Sequence, residues 1–231
     1  MKEYLRRVLA VLAAVASTAG LISAWAVLGL RQPRFVLAAY STDLSQRTPA
    51  QLQNIRIAAE AVDGVQLAPG EVFSFNSAAG PYTSSRGYLP APAIVAGELS
   101  AAPAGGVCQV SSTLYNAALL AGLQVVERHA HSRPAASVPP GRDATVSGAV
   151  DLRVRNVLSS KVIVEASVAG GELVCRVVGT QKPDHSITLR SQIIRTRRGG
   201  RPALVARVWR KQEAAGRQAS SELISEDVYW P

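Results

Sequence analysis

Cys108 has the sequence setting of a reactive thiol. It follows the glycine pair Gly105 and Gly106, which permits a tight turn that larger side chains would obstruct. Apolar residues then recur at helical spacing, at Val110, Leu114, Ala117, Ala118 and Ala121. A cysteine on the first turn of such a helix lies near unpaired amide donors and the positive end of the helix dipole, and both favour a thiolate. The same pattern also fits a small buried residue that closes a tight corner.

Candidate partners for this thiol come after the predicted helix. Two of the chain's three histidines are His129 and His131, and their alternation places both on one side of an extended segment. Asp143 and Asp151 follow, and either carboxylate could orient an imidazole. A nucleophile, a base and an orienting carboxylate are the parts of a cysteine-dependent acyl-transfer site. We therefore predict that Cys108 meets at least one of the histidines and one of the aspartates.

Several long motifs of the chain resemble the VanW family. They are Gly-Gly-Val-Cys-Gln-Val-Ser-Ser at 105–112, Glu-Arg-His-Ala-His-Ser at 127–132 and Pro-Gly-Arg-Asp-Ala-Thr-Val at 140–146, with Pro-Gly-Glu-Val-Phe-Ser-Phe-Asn upstream at 69–76. The family is associated with bacterial cell envelopes and takes its name from an accessory protein of vancomycin-resistance clusters. The resemblance implies a cell-envelope function, and the expected partner is a cell-wall polymer or a peptidoglycan fragment. A peptide or amide bond of peptidoglycan is then the expected substrate.

Four further residues are candidates for ligand binding. Gln109 follows the cysteine, and its side chain or its amide could stabilise an oxyanion. Asn76 ends the motif at 69–76, and Tyr88 belongs to a loop rich in glycine and serine, of a kind that often forms the rim of a cleft. Arg142 lies beside the candidate carboxylate in the third motif.

The same residues also allow two alternatives to a cysteine enzyme, a zinc site and a buried structural network. Zinc accepts one cysteine and two histidines, but the separation of Cys108 from His129 is not a familiar zinc spacing, so we expect no metal and no cofactor. Alternatively, His129, His131 and Asp143 form a buried hydrogen-bond network that needs no catalysis. The protein would then be a non-catalytic module that binds or organises the cell wall.

Cys175 alternates with apolar residues along a strand, so we expect a buried thiol rather than a disulfide partner of Cys108.

The N-terminal segment predicts export. Residues 8–30 carry no charge and follow Lys2, Arg6 and Arg7. At about 1.5 Å per residue this stretch could cross a bilayer core of about 30 Å as an uncleaved anchor, with the N-terminus in the cytoplasm. The small-x-small pattern at 24–26 also fits a signal peptide that is cleaved. Either way the domain is expected outside the cytoplasm, where the chain's net charge of +9 suits an anionic polymer or lipid rather than nucleic acid.

The distribution of patterns predicts an α+β fold. Thr48, Pro49 and Gln51 give a helix start, and the apolar period changes to two after Val146. We expect early helices packed on a late, mostly antiparallel sheet, with a membrane segment at 1–34 and a single domain at 35–231. A cysteine at a buried helix, with its histidine and carboxylate on a later sheet, is similar to the core of papain-type and transglutaminase-type folds.

Overall fold

Strands make up more of this protein than its early helical patterns suggest. The computed structural model describes residues 33–95 and 98–230, and the fold is mostly β, with 44% strand and 19% helix. In chain order the helices and strands are β1 (Phe35–Asp43), α1 (Pro49–Val62), β2 (Gln66–Leu67), β3 (Val72–Ser74), α2 (Phe75–Ala79), β4 (Pro90–Val95), β5 (Glu98–Pro103), α3 (Val107–Leu120), β6 (Gln124–Glu127), β7 (Arg153–Arg155), β8 (Val162–Ala169), β9 (Glu172–Gly179), β10 (His185–Arg198), β11 (Arg201–Ala214) and β12 (Ser220–Tyr229).

The expected α+β arrangement, with early helices on a late sheet, is wrong. Within residues 33–95 and 98–230 all strand pairs are antiparallel, and the strands form one four-stranded, two three-stranded and one two-stranded sheet. The four-stranded sheet has the order β1-β9-β8-β2, so it combines the earliest strands with late ones. Helix α3 contacts β1 and β9, and α1 contacts β8. The physical reason is the pairing of β1 with β9, which is a long-range contact that local periodicity does not contain. Because the helices and sheets are arranged differently, the expected similarity to a papain-type or transglutaminase-type core is also wrong.

The latest strands form a separate three-stranded sheet with the order β10-β11-β12. Their alternating patterns were enough to predict strands, but they gave no information about which sheet the strands would join. Strand β10 of this sheet contacts helix α3. The buried end of β12, at Tyr229, reaches the region described below as the candidate site.

Local signals predicted helix α1 and the buried face of β9 correctly. The Thr48 side chain accepts a hydrogen bond from the Gln51 amide at 3.2 Å, and the Gln51 side chain accepts one from the Thr48 amide at 3.1 Å, which completes a capping box. Cys175 is fully buried on β9, and burial raises the pKa of its thiol to about 12. Both cysteines are free thiols, as expected.

The predicted membrane segment at residues 8–30 lies outside the described residues. In the part of the chain that the structure describes, no helix is long and apolar enough to cross a membrane. Residues 34–231 group into one compact unit.

Candidate active site

The turn before Cys108 is held in place by α1. Gly106 has φ +103°, a conformation that glycine adopts without strain, and an added Cβ at Gly105 would collide with the Ala91 carbonyl. Asn54 is completely buried on α1, and its amide donates to the Gly105 and Leu89 carbonyls, each at 2.9 Å. This glycine turn delivers Cys108 to the first turn of α3, as the sequence predicted.

Polar side chains of α3 bind the segment that carries Asp143. The Ser112 hydroxyl accepts a hydrogen bond from the Ala144 amide at 2.9 Å, and the Ser111 hydroxyl donates to the Ala144 carbonyl at 2.7 Å. One turn further along, the Asn116 amide donates to the Arg142 carbonyl at 2.7 Å. All three side chains are buried. The helix that carries the thiol therefore also fixes the position of the carboxylate segment.

His131 and Asp143 form a close buried pair. The distance from His131 Nδ1 to Asp143 Oδ2 is 2.6 Å, and the same oxygen accepts the His131 backbone N–H at 2.7 Å. The side chains are 9% and 1% exposed. Because Nδ1 faces the carboxylate, Nε2 is the nitrogen left for other contacts, and Cys108 lies close enough to His131 to raise the pKa of its imidazole. The structure thus brings His131 and Asp143 into direct contact and places Cys108 beside them.

The electrostatics of this cluster favour the charged forms of His131 and Asp143. Burial lowers the pKa of His131, but the hydrogen bond to Asp143, the neighbouring Cys108 and the charge of Asp143 raise it overall to about 9. Burial raises the pKa of Asp143, but the His131 hydrogen bond and the Arg128 charge outweigh it, so the net shift is downward. At neutral pH the pair is therefore an imidazolium and a carboxylate.

A second layer behind Asp143 includes residues that sequence reasoning missed. Arg128 donates to Asp143 Oδ1 at 3.1 Å and to both carboxylate oxygens of Asp227 on β12 at 2.6 Å. The buried Tyr229 hydroxyl donates to Asp143 Oδ1 and accepts the Gly141 amide at 2.7 Å. Arg128 belongs to the motif at 127–132, but Tyr229 is far from it in the sequence and carries no local signal.

Cys108 and His131 line an open cleft of about 930 Å³. Arg47, Gln109 and Thr145 also line it, and the Thr145 hydroxyl is buried without a hydrogen-bond partner. The Cys108 sulfur lies 3.5 Å from both the amide nitrogen and the carbonyl oxygen of Val146. The cleft is large enough for a small peptide or sugar fragment, since ligand pockets commonly measure about 300–1,000 Å³. A substrate in the cleft could therefore reach the thiol.

The other histidine and the other aspartate are elsewhere. The His129 side chain is 47% exposed, contacts Glu127 at 3.1 Å and does not line the cleft. Asp151 accepts hydrogen bonds from the Ser74 hydroxyl at 2.6 Å and from the Asn76 backbone N–H at 2.8 Å, so it supports the start of α2. The choice that the sequence left open therefore falls on His131 and Asp143.

Gln109 and Asn76, two of the four predicted binding residues, line the cleft, but their side-chain amides are already hydrogen-bonded to other groups of the protein. The Gln109 side chain donates to Thr42 and to the Asp43 carbonyl, and it accepts from Arg47. The Asn76 amide donates to two backbone carbonyls, and its oxygen accepts the Tyr82 hydroxyl at 2.6 Å. Both residues therefore position neighbouring groups.

The remaining two predicted binding residues do not line the cleft. Tyr88 is a core residue whose hydroxyl donates to the Ala79 carbonyl at 2.8 Å. Arg142 is buried, bonds to Asn116 and lies over the Tyr40 ring at 5.4 Å from its centroid. Their local sequence could not distinguish a ligand contact from internal packing.

In the described residues, no group of three or more histidine, cysteine, aspartate or glutamate side chains is arranged to hold a metal ion.

Taken together, these features define a mostly antiparallel β protein with a Cys–His–Asp cluster in an open cleft. The chain belongs to the VanW family, because the family model described as VanW like protein matches residues 50–178, which include all three residues of the cluster. The resemblance noted in the motifs is thereby confirmed.

Two curated relatives match this chain. YoaR of Bacillus subtilis, which is described as uncharacterised, is 45% identical over 139 residues, covering 60% of this chain and 46% of YoaR. The vancomycin B-type resistance protein VanW of Enterococcus faecalis is 32% identical over 109 residues, covering 45% of this chain and 40% of that protein. The matched stretches therefore span less than half of either relative. No solved structure matches the chain.

Proposed function

We propose that this protein uses Cys108 as a nucleophile on an amide or ester bond of the cell wall, as a hydrolase or transferase. The observation that carries the proposal is the buried His131–Asp143 pair, with 2.6 Å between Nδ1 and Oδ2, because the His131 imidazole lines the same cleft as Cys108. The thiolate is the attacking form of a cysteine, and an adjacent histidine is the usual base for it.

The side chains account for each step of such a reaction. The Cys108 thiolate forms a bond to the substrate carbonyl carbon, and the carbonyl oxygen takes up the negative charge. When the carbon–nitrogen or carbon–oxygen bond breaks, His131 donates its proton to the leaving amine or alcohol, and a thioester remains. Neutral His131 then takes a proton from water or from an acceptor amine, which attacks the thioester and releases Cys108.

The first turn of α3 offers one amide to the oxyanion. The Val107 and Gln109 amides donate to the Ala104 and Gly106 carbonyls at 3.1 and 2.9 Å, so neither is free. The amide of Cys108 lies between them, and within the described residues it has no backbone acceptor. We assign it the oxyanion role that the sequence had suggested for Gln109.

The cell wall as target, and a location outside the cytoplasm, rest on three further facts. One relative carries the name of a vancomycin resistance protein. The uncharged residues 8–30 follow three basic residues, the pattern of an exported or anchored protein. The net charge of +9 favours contact with anionic wall polymers.

A test uses purified peptidoglycan fragments and intact-protein mass spectrometry. After rapid acid quenching, we expect an acyl adduct on Cys108 that is absent in Cys108→Ala and in His131→Ala. His129→Ala is the matched control, because His129 is the other histidine of the same motif and does not line the cleft. Fragments that bind the wild-type protein without any adduct or product would favour the non-catalytic wall-binding module instead.

A further inference from the structure

We propose that Arg47 binds a free carboxylate of the substrate beside the bond that Cys108 attacks. The expected substrates are therefore peptides that have a free carboxylate close to the bond that is broken. This inference rests on the proposed function, since it concerns the same cleft. Arg47 lies between β1 and α1 in the sequence, outside the stretch that matches the family model.

Arg47 is held in the cleft by a buried amide next to the thiol. Gln109 Oε1 accepts a hydrogen bond from Arg47 Nε at 2.6 Å. The other end of the Gln109 amide is fixed by the Thr42 hydroxyl at 3.0 Å and the Asp43 carbonyl at 2.9 Å, so the oxygen must face Arg47. Among the described residues, Arg47 bonds through Nε alone, so its two terminal amino groups are available there for a ligand.

The charge of Arg47 has no carboxylate partner within the described part of the chain. No salt bridge joins it to an aspartate or glutamate there, and none of the described residues that line the cleft is acidic. Asp43 is near enough to act on Arg47 through its charge, but its carboxylate is hydrogen-bonded to Ser45. Partial burial lowers the pKa of Arg47, and the charge of Asp43 offsets only part of this shift. An anionic ligand would compensate the remaining cost of burial.

The geometry favours a carboxylate over a phosphate. The two terminal amino groups of an arginine form a planar fork that matches the two oxygens of a carboxylate. The second cation of the cleft, His131, is already bound to Asp143. A single available guanidinium thus offers one bidentate contact, whereas a phosphate group has three oxygens to satisfy.

Two alkylating reagents that differ only in this group provide the test. Iodoacetate and iodoacetamide both form a bond from the Cys108 sulfur to carbon and release iodide, but only iodoacetate has a carboxylate. We expect Arg47→Gln to slow the reaction of Cys108 with iodoacetate about tenfold and to leave the iodoacetamide rate nearly unchanged, since only iodoacetate can form a charge-assisted pair with the guanidinium. Arg56→Gln is the matched control, because Arg56 is exposed on α1 and does not line the cleft.

Competition with small anions completes the test. N-acetylalanine should protect Cys108 from iodoacetamide, while N-acetylalanine amide and inorganic phosphate should protect it much less, and Arg47→Gln should remove the protection. Equal slowing of both reagents by Arg47→Gln, or stronger protection by phosphate, would overturn the carboxylate site. Slow reaction of the wild-type thiol with both reagents would instead contradict the proposed function.

Discussion

Asp143→Ala is expected to lower the free energy of unfolding by about 3–5 kcal/mol, because it leaves buried polar groups without their shared acceptor. The Asp143 carboxylate accepts hydrogen bonds from the His131 ring and backbone, from Arg128 and from Tyr229. Its loss leaves the Arg128 guanidinium with Asp227 as its remaining carboxylate and the Tyr229 hydroxyl without its acceptor. Urea unfolding at pH 7, followed by circular dichroism, measures the change.

A second Asp–His contact in the chain supplies the control for this variant. Asp184 lies 2.8 Å from His185, but its side chain is 71% exposed. Asp184→Ala should therefore leave the free energy of unfolding nearly unchanged. If Asp143→Ala were as mild as Asp184→Ala, the buried network around Asp143 would not exist in solution.

The second large effect is a loss of stability at alkaline pH that depends on His131. Its pKa is raised from 6.5 to about 9 in the folded protein, so the folded state binds this proton more tightly than the unfolded chain. The stabilisation is complete below about pH 6.5 and is lost as the pH rises through about 9, and it amounts to about 3 kcal/mol. The free energy of unfolding, measured in urea at several pH values between 6 and 10, should show this decline.

Two variants isolate the contribution of His131. His131→Gln cannot titrate, so its stability should be lower at pH 6.5 and should change much less between pH 6.5 and 9. His129→Gln should retain the wild-type decline, because His129 is outside the buried cluster. A decline of equal size in His131→Gln would show that another group causes it. At acidic pH the sign is opposite: the lowered pKa of Asp143 adds stability above about 3.8 that is lost as the pH falls.

The sequence predicted the immediate surroundings of Cys108 well. A glycine turn followed by an apolar stripe determines a helix start locally, and α3 begins at Val107. Likewise, the capping box at Thr48 and the alternation around Cys175 involve only neighbouring residues. The candidate residues Cys108, His131 and Asp143 were named from residue type and order within motifs, which needed no knowledge of the sheets.

The parts that sequence reasoning missed depend on long-range contacts. The pairing of β1 with β9 decides which sheet supports α3, and no local pattern encodes it. Tyr229 reaches Asp143 only because β12 packs near the 128–143 region. Arg142 and Asp143 are adjacent in sequence but point to different surroundings, so a shared motif could not separate a site residue from a buried structural one.

The rate of Cys108 alkylation by iodoacetamide as a function of pH tests whether His131 activates this thiol. Cys175 is an internal reference, since its thiol is fully buried. We expect that at pH 6 Cys108 reacts at least about tenfold faster than free cysteine, whose pKa is about 8.5, and that His131→Gln removes this advantage. A rate that is negligible at pH 6, rises only above pH 8 and is the same in His131→Gln would contradict the assignment of Cys108 as a nucleophile activated by His131.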